Sequence, residues 1–335
     1  MERGISVLIF LFLLFVLVAY MVLVKDIWTP LVAMTISDVH GDLVLLFIVL
    51  LMTPFLLQRT LHALRFNCYV GFTSVSLLCL ALCHHGITSP QSNLKIWPTH
   101  ISDVLFAFPI ITLSFLSHFN ILPIQSALVE PSRSRINGTI HAAVGSCFVL
   151  MYLFGLCGYL YAGEKTEGNI LINIANDTTD WMFFIGRIGC GITIMLAMPM
   201  MLLPCRESLL EVLDVLFVQV IKVTERTPLN HRLMMQTLTI GNRNPYVHYG
   251  TTLAIVIVTY LGAVVAPGVA LVWSLCGSSM AFLISFILPS ACYLEIGNGM
   301  DSDYRIFSSA LLIIAVVGAI ACTIQTLFGI VFGYS

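Results

Sequence analysis

The sequence predicts an all-α membrane protein with nine transmembrane helices in a single transmembrane domain over residues 1–335. Of the 335 residues, 59% are hydrophobic and only 10% charged, and the mean hydropathy is +0.97. That balance lies far outside the composition of a water-soluble globular chain. Apolar runs able to cross roughly 30 Å of hydrocarbon recur from end to end. Basic residues collect in alternate connections, as they do in cytosolic loops.

The first run, about 5 to 24, has no small-residue cleavage site before Lys25 and reads as a span rather than a signal peptide. The second, about 42 to 57, is short and extends toward Arg59 through Pro54 and Phe55. Further spans fall at about 68 to 84, 102 to 127, 137 to 162 and 181 to 203. The last three are at about 248 to 266, 271 to 295 and 306 to 332, the first two of them joined at Pro267 and Gly268. In the long connection over 205–245, Leu209, Leu210, Leu213, Leu216, Phe217 and Val220 recur at helical spacing opposite Glu207, Glu211 and Asp214. This pattern fits either a helix lying along the inner membrane face or a continuation of the sixth span.

Charge sets the orientation. With a cytosolic N-terminus, eleven of the fifteen Lys and Arg residues face the cytosol, Lys25, Lys95 and Lys165 face the other side, and Arg187 lies within the sixth span. That bias predicts a cytosolic start and a non-cytosolic C-terminus. The sequon at Asn137 then faces the cytosol, which leaves Asn176 as the candidate glycosylation site.

Several function classes are excluded. A formal net charge of −2 without a basic block argues against a nucleic-acid partner; membrane lipids are the expected surroundings. The ten cysteines form no CxxC pair and mostly sit in apolar runs, including Cys79, Cys147, Cys157, Cys190, Cys276 and Cys322, so they read as buried, reduced thiols. His84 and His85 lack metal-ligand partners at useful spacing, and no metal or other cofactor is expected. Gly186, Gly189 and Gly191 match a phosphate motif by letter alone and suit close helix packing instead. No span carries two acidic residues at depth, which argues against a membrane enzyme.

The informative stretch is residues 108–124. Pro109 and Pro123 bracket Thr112, Ser114, Ser117, His118 and Asn120, polar residues that are costly in hydrocarbon unless they line a cavity or face other helices. An unwound helix offers free carbonyls to a cation or ammonium and free amides to a carboxylate, the two groups of a zwitterionic amino acid. The alternative is a proline-containing packing helix mended by its hydroxyls. His118 is either a titratable relay or a packed hydrogen-bond partner. Arg187 either snorkels outward, about 9 Å below Trp181 at 1.5 Å per residue, or contacts a substrate.

The run Ser117-His118-Phe119-Asn120-Ile121-Leu122-Pro123-Ile124, followed by Pro131 and Arg133, resembles a motif of the amino acid/auxin permease family. The vacuolar and sodium-coupled neutral amino-acid transporters are its nearest branches. Gly158 and Tyr159, Arg187 with Pro199, Pro204 with Arg206, and Gly277, Ser279, Pro289 and Tyr293 continue the likeness. The resemblance implies an inverted-repeat fold of the amino acid-polyamine-cation type and secondary transport of neutral amino acids by alternating access. It implies a substrate-binding set of Thr112, Ser114, Phe115, Ser117, His118 and Asn120. Members of the family usually carry eleven spans, and this chain aligns from the third, so the first two, including a glycine-rich broken helix, are expected to be missing.

Two further departures bear on coupling and gating. Sodium-coupled relatives place a Thr two residues before the proline of the sixth span seen here, where this chain has Ala197 before Pro199. Loss of that oxygen favours proton over sodium coupling, with His118 and Thr193 as the ion-coupling candidates. Gln125, Ser126 and Ala127 stand where relatives have an acidic ending. A non-transporting nutrient sensor, or a shortened regulatory form, is the competing expectation, and the resident membrane is either vacuolar/lysosomal or plasma membrane.

Overall fold

A computed structural model describes residues 2–36, 38–58, 65–88, 94–95, 97–98, 100–117, 121, 125–126, 128, 132–176, 180–224, 245–296 and 302–332. Every regular element among them is helical. Apart from the short turns Gly163–Lys165, Ile170–Asn173 and Ile174–Asn176, these are in chain order α1 (Glu2–Ala33), α2 (Gly41–Leu56), α3 (Arg65–Thr88), α4 (Ile101–Ser114), α5 (Arg133–Ala162), α6 (Trp181–Thr224), α7 (Pro245–Val265), α8 (Val269–Ile296) and α9 (Ser302–Phe332). Seven are long and apolar enough to cross a membrane, whereas α2 and α4 are shorter apolar helices. This is the architecture of a multi-pass membrane protein.

Boundaries differ from the expected ones for identifiable reasons. α1 runs past Lys25 to Ala33 because the charge finds partners. The Lys25 ammonium donates to the Ala263 carbonyl at 3.2 Å and pairs with Asp42 at 3.4 Å. α6 continues unbroken for 44 residues through Pro199 and Pro204. At 1.5 Å per residue it measures about 66 Å, longer than the hydrocarbon. The pattern after Pro204 is therefore a continuation of the sixth span, where Glu211 accepts a hydrogen bond from Ser6 at 2.9 Å. The fourth span, expected over 102 to 127, is helical only as far as Ser114.

The chain divides into two compact units, Met1–Ser74 with Phe184–Ala266, and Val75–Phe183 with Pro267–Ser335. In the first, α1 packs against α2 and α7, and buries Leu17, Met21, Val24 and Ile27 along its length. Gly262 on α7 lets that helix close onto Val18, whose methyl lies 3.0 Å from where a Cβ would sit.

In the second unit, α4 packs against α8 and α9. Phe282, Ala315 and Cys322 form an apolar cluster at this packing, with Leu105 and Phe286 against them. Hydroxyls line the same seam: Ser274 donates to the Phe106 carbonyl at 3.1 Å and shares a 2.8 Å bond with Thr326, and Thr323 donates to Ser278 at 3.1 Å. Helix α8 is not uniform. Two π-helical turns, Gly277–Ala281 and Leu283–Ile287, interrupt it, the wide turn that often marks a functional position. All ten cysteines are free thiols, but Cys147, expected to be buried, is exposed on α5.

Gly277 is where α8 meets α4. A Cβ there would sit on the Pro109 carbonyl oxygen, a backbone atom that cannot yield without moving the helix. Gly277→Ala is expected to destabilise by about 1–3 kcal/mol, the usual cost of overpacking. Thermal unfolding in detergent checks this, with Gly138→Ala, which meets nothing within 4 Å, as a control expected to hold or slightly raise the melting temperature.

Candidate functional site

α4 begins with a reciprocal cap, in which the His100 N–H donates to Asp103 at 3.3 Å. It then runs through Pro109 and stops at Ser114. The discontinuity therefore falls between the two prolines, on the polar run itself. The N–H of Phe115 still reaches the Ile111 carbonyl at 3.3 Å, and that of Leu116 the Leu113 carbonyl at 3.1 Å. Leu116 and Ser117 then leave the helix.

A cavity of about 140 Å³ opens beside this end, lined by Ser114, Phe115, Leu116, Ser117 and Ile121, and by Ile136, Thr139, Ile140, Ala143, Val144 and Cys147 of α5. It is smaller than the roughly 300–1,000 Å³ of a drug-sized site, and much of its lining is exposed. Its lining carries no charged side chain among the described residues. Phe115 also faces Phe148, ring centres 6.5 Å apart, and Phe148 stacks on Tyr152.

Ser114, Phe115 and Ser117 of the predicted set thus come together. Thr112 does not join them: it is buried, and its hydroxyl donates to the Phe108 carbonyl at 3.0 Å. Ser114 lines the cavity but spends its proton on the Ile110 carbonyl at 2.8 Å, leaving its oxygen as an acceptor. Thr193 lies in the other unit, where it donates to the Gly189 carbonyl at 2.8 Å and accepts the Asn67 amide on its own carbonyl at 3.1 Å. His118, Asn120 and Pro123 fall outside the described residues, as does the side chain of Asn176, whose backbone closes the Ile174–Asn176 turn.

Snorkelling of Arg187 is overturned. Its side chain is 1% exposed, with one amino group 3.5 Å from the Ile27 carbonyl and its Nε without a partner among the described residues. Gly191, one turn on, makes this possible: a Cβ there would lie 2.8 Å from the Trp28 indole nitrogen, so α6 sits too close to α1 for the guanidinium to escape. No carboxylate reaches ion-pair distance of it among the described residues. A buried charge so thinly compensated is a weak source of stability. Arg187→Met is therefore expected to keep or raise the melting temperature, and a thermal melt of the variant checks this.

A second group that sequence reasoning passed over is the His85 and Asp180 pair. Asp180 stands directly before α6, a position that favours a capping carboxylate, and His85 lies in the last turn of α3, where a cation is favoured. The His85 Nε2 lies 2.6 Å from one Asp180 oxygen, and the Met182 N–H donates to the other at 2.7 Å. The His85 ring stacks on Phe183 at 5.0 Å. Burial works to raise the Asp180 pKa, but the hydrogen bonds from His85 and the Met182 N–H outweigh it and hold the carboxyl below its ordinary 3.8. A depressed carboxyl stabilises the fold above its unfolded value, and that contribution is lost as pH falls through the folded value. Asp180→Asn keeps the cap and removes the charge. Its melting temperature is expected to lie below that of the unaltered protein down to about pH 4, with the gap closing in more acid solution.

The family described as "Transmembrane amino acid transporter protein" matches residues 1–331. Solute carrier family 38 member 10 of Homo sapiens is 25% identical over 229 residues, 68% of this chain and 19% of the relative. A Xenopus laevis protein provisionally named sodium-coupled neutral amino acid transporter 10 is 28% identical over 273 residues, 79% of this chain and 23% of its own. Vacuolar amino acid transporter 6 of Saccharomyces cerevisiae is 24% identical over 313 residues, 81% of this chain and 68% of the relative. The chain thus spans about a fifth of the length of these animal relatives. No solved structure matches it. These relatives are named as transporters or solute carriers, not as enzymes. A match across almost the whole chain, on a bundle of membrane-crossing helices, places the protein in the transmembrane amino acid transporter family.

Proposed function

We propose that the protein carries neutral amino acids across a membrane as a secondary transporter working by alternating access, with the break after α4 forming one half of the substrate site. The observation that carries this reading is the stop of α4 at Ser114 beside a small cavity. The end of a helix presents partial negative charge, which suits the ammonium of an amino acid. Ser117 and Thr139 offer hydroxyls, while Phe115, Ile140 and Val144 offer apolar surface to a side chain. Without a charged group in the described lining, a charged side chain would be poorly accommodated, which supports neutral substrates.

The nine-span inverted repeat is the arrangement in which such a half-site meets a second broken helix. Proton coupling is favoured over sodium by Ala197, which supplies no side-chain oxygen where sodium-coupled relatives are expected to carry a hydroxyl. His118 remains the proposed titratable group, and Asn120, two positions on in the sequence, is proposed as a further substrate-binding residue.

Purified full chain in proteoliposomes, offered labelled neutral amino acids under an imposed pH or sodium gradient, tests the proposal. The expected result is uptake driven by the pH gradient and collapsed by a protonophore. Phe115→Ala and Ser117→Val are expected to raise KM about tenfold, equivalent to roughly 1.4 kcal/mol of lost binding. Saturable amino-acid binding without gradient-driven uptake would instead identify a sensor.

A further inference from the structure

We propose that Cys83 and Cys157 are a disulfide-forming pair that locks α3 to α5 at the non-cytosolic end of the second unit. Their sulfurs meet at 2.8 Å, although the residues are 74 positions apart in sequence. Gly86, one turn further along α3, explains the approach. A Cβ there would lie 2.9 Å from the Cys157 carbonyl oxygen and 3.1 Å from the Leu160 Cβ, so the two helix backbones touch. Contact at Gly86 holds the helices in place, and closing the bond requires side-chain adjustment rather than movement of either helix.

The surroundings suit oxidation. Both cysteines lie about one and a half turns before their helices end at Thr88 and Ala162. Beyond them sits a polar cover in which the Tyr159 hydroxyl donates to the Lys95 carbonyl at 3.1 Å and accepts its N–H at 2.9 Å. The Lys95 and Glu164 side chains pair at 2.9 Å and remain mostly exposed, so this end reaches water. It is also the end that carries Lys95 and Lys165 on the sparsely basic side of the membrane. Disulfides persist in the oxidising compartments that such a side faces. Cys157 is 5% exposed, and Cys83 is the more open of the two.

Cys83 therefore reacts first. Its thiolate attacks an external disulfide, such as glutathione disulfide or that of a protein oxidoreductase, giving a mixed disulfide and one released thiolate, which takes up the proton that Cys83 gave up. The Cys157 thiolate then attacks the Cys83 sulfur, forming the bond between the two cysteines and expelling the second thiol. Two cysteine thiols are oxidised, and one external disulfide is reduced to two thiols. The resulting loop encloses α4 and its cavity, so the lock constrains the segment that carries the candidate site.

Peptide mapping of the full chain tests this independently of any transport activity. Membranes are treated with N-ethylmaleimide and solubilised without reductant, and the protein is digested with trypsin. Cleavage after Arg65, Lys95, Arg135 and Lys165 places the two cysteines on separate peptides. The expected result is a linked pair of peptides, dissolved by reductant and re-formed from reduced protein by glutathione disulfide. The link is absent from Cys83→Ser and Cys157→Ser and kept in Cys79→Ser. Full maleimide labelling of both cysteines in the unaltered protein, with no link after equilibration with glutathione disulfide, would overturn the proposal. A link that survives Cys83→Ser would overturn it equally.

Discussion

A helix that stops among apolar side chains leaves backbone carbonyls that hydrocarbon cannot satisfy. α4 stops in this way at Ser114, and its surroundings limit the cost. Thr112 and Ser114 return their hydroxyls to carbonyls one turn back, and Ser274 of α8 supplies a donor at Phe106, near the point where Pro109 supplies none. The packing of Gly277 on the Pro109 carbonyl fixes the helix in place. A cavity at the freed end follows from these constraints as much as from any demand of a ligand.

The first unit meets the opposite difficulty, which is charge rather than backbone. Lys25 is accommodated by a carbonyl from α7 and a carboxylate at the start of α2. Among the described residues Arg187 has only the Ile27 carbonyl, at the limit of hydrogen-bond distance. Ionisable groups inside membrane helices are costly, and a cation held this loosely adds little to the stability of the fold. Its retention against α1 makes it the natural second target for uptake measurements once the fold of the methionine variant is established.

Much of the architecture was legible in the sequence because hydropathy is a property of composition. The long spans, the tight α7 to α8 connection and the interruption after Ser114 all follow from apolar length, Pro, Gly and misplaced polar residues. Errors came where a local signal was overruled by distant partners. Lys25 looked like the end of a helix because Asp42 and Ala263 are remote in sequence. Arg187 looked free to snorkel because nothing nearby in the chain shows Gly191 admitting Trp28. The hydroxyl of Thr112 looked available, yet its closest acceptor was the carbonyl of its own preceding turn.

The two π-helical turns of α8 carry a consequence for how this helix can vary. Each wide turn bonds i to i+5 and so holds one residue more than an α-turn. Each extra residue rotates everything beyond it by about 100° relative to a regular helix. Leu288–Ile296 therefore presents its faces in a phase that depends on the wide turns staying intact. Re-winding either turn as regular α-helix without loss of a residue would turn the last segment of α8 onto a different neighbour, whereas loss of one residue from a wide turn lets that turn close while the segment beyond keeps its phase. Length in this stretch is thus a structural variable in its own right, because each wide turn is a place where one residue can be lost without re-facing the rest of the helix.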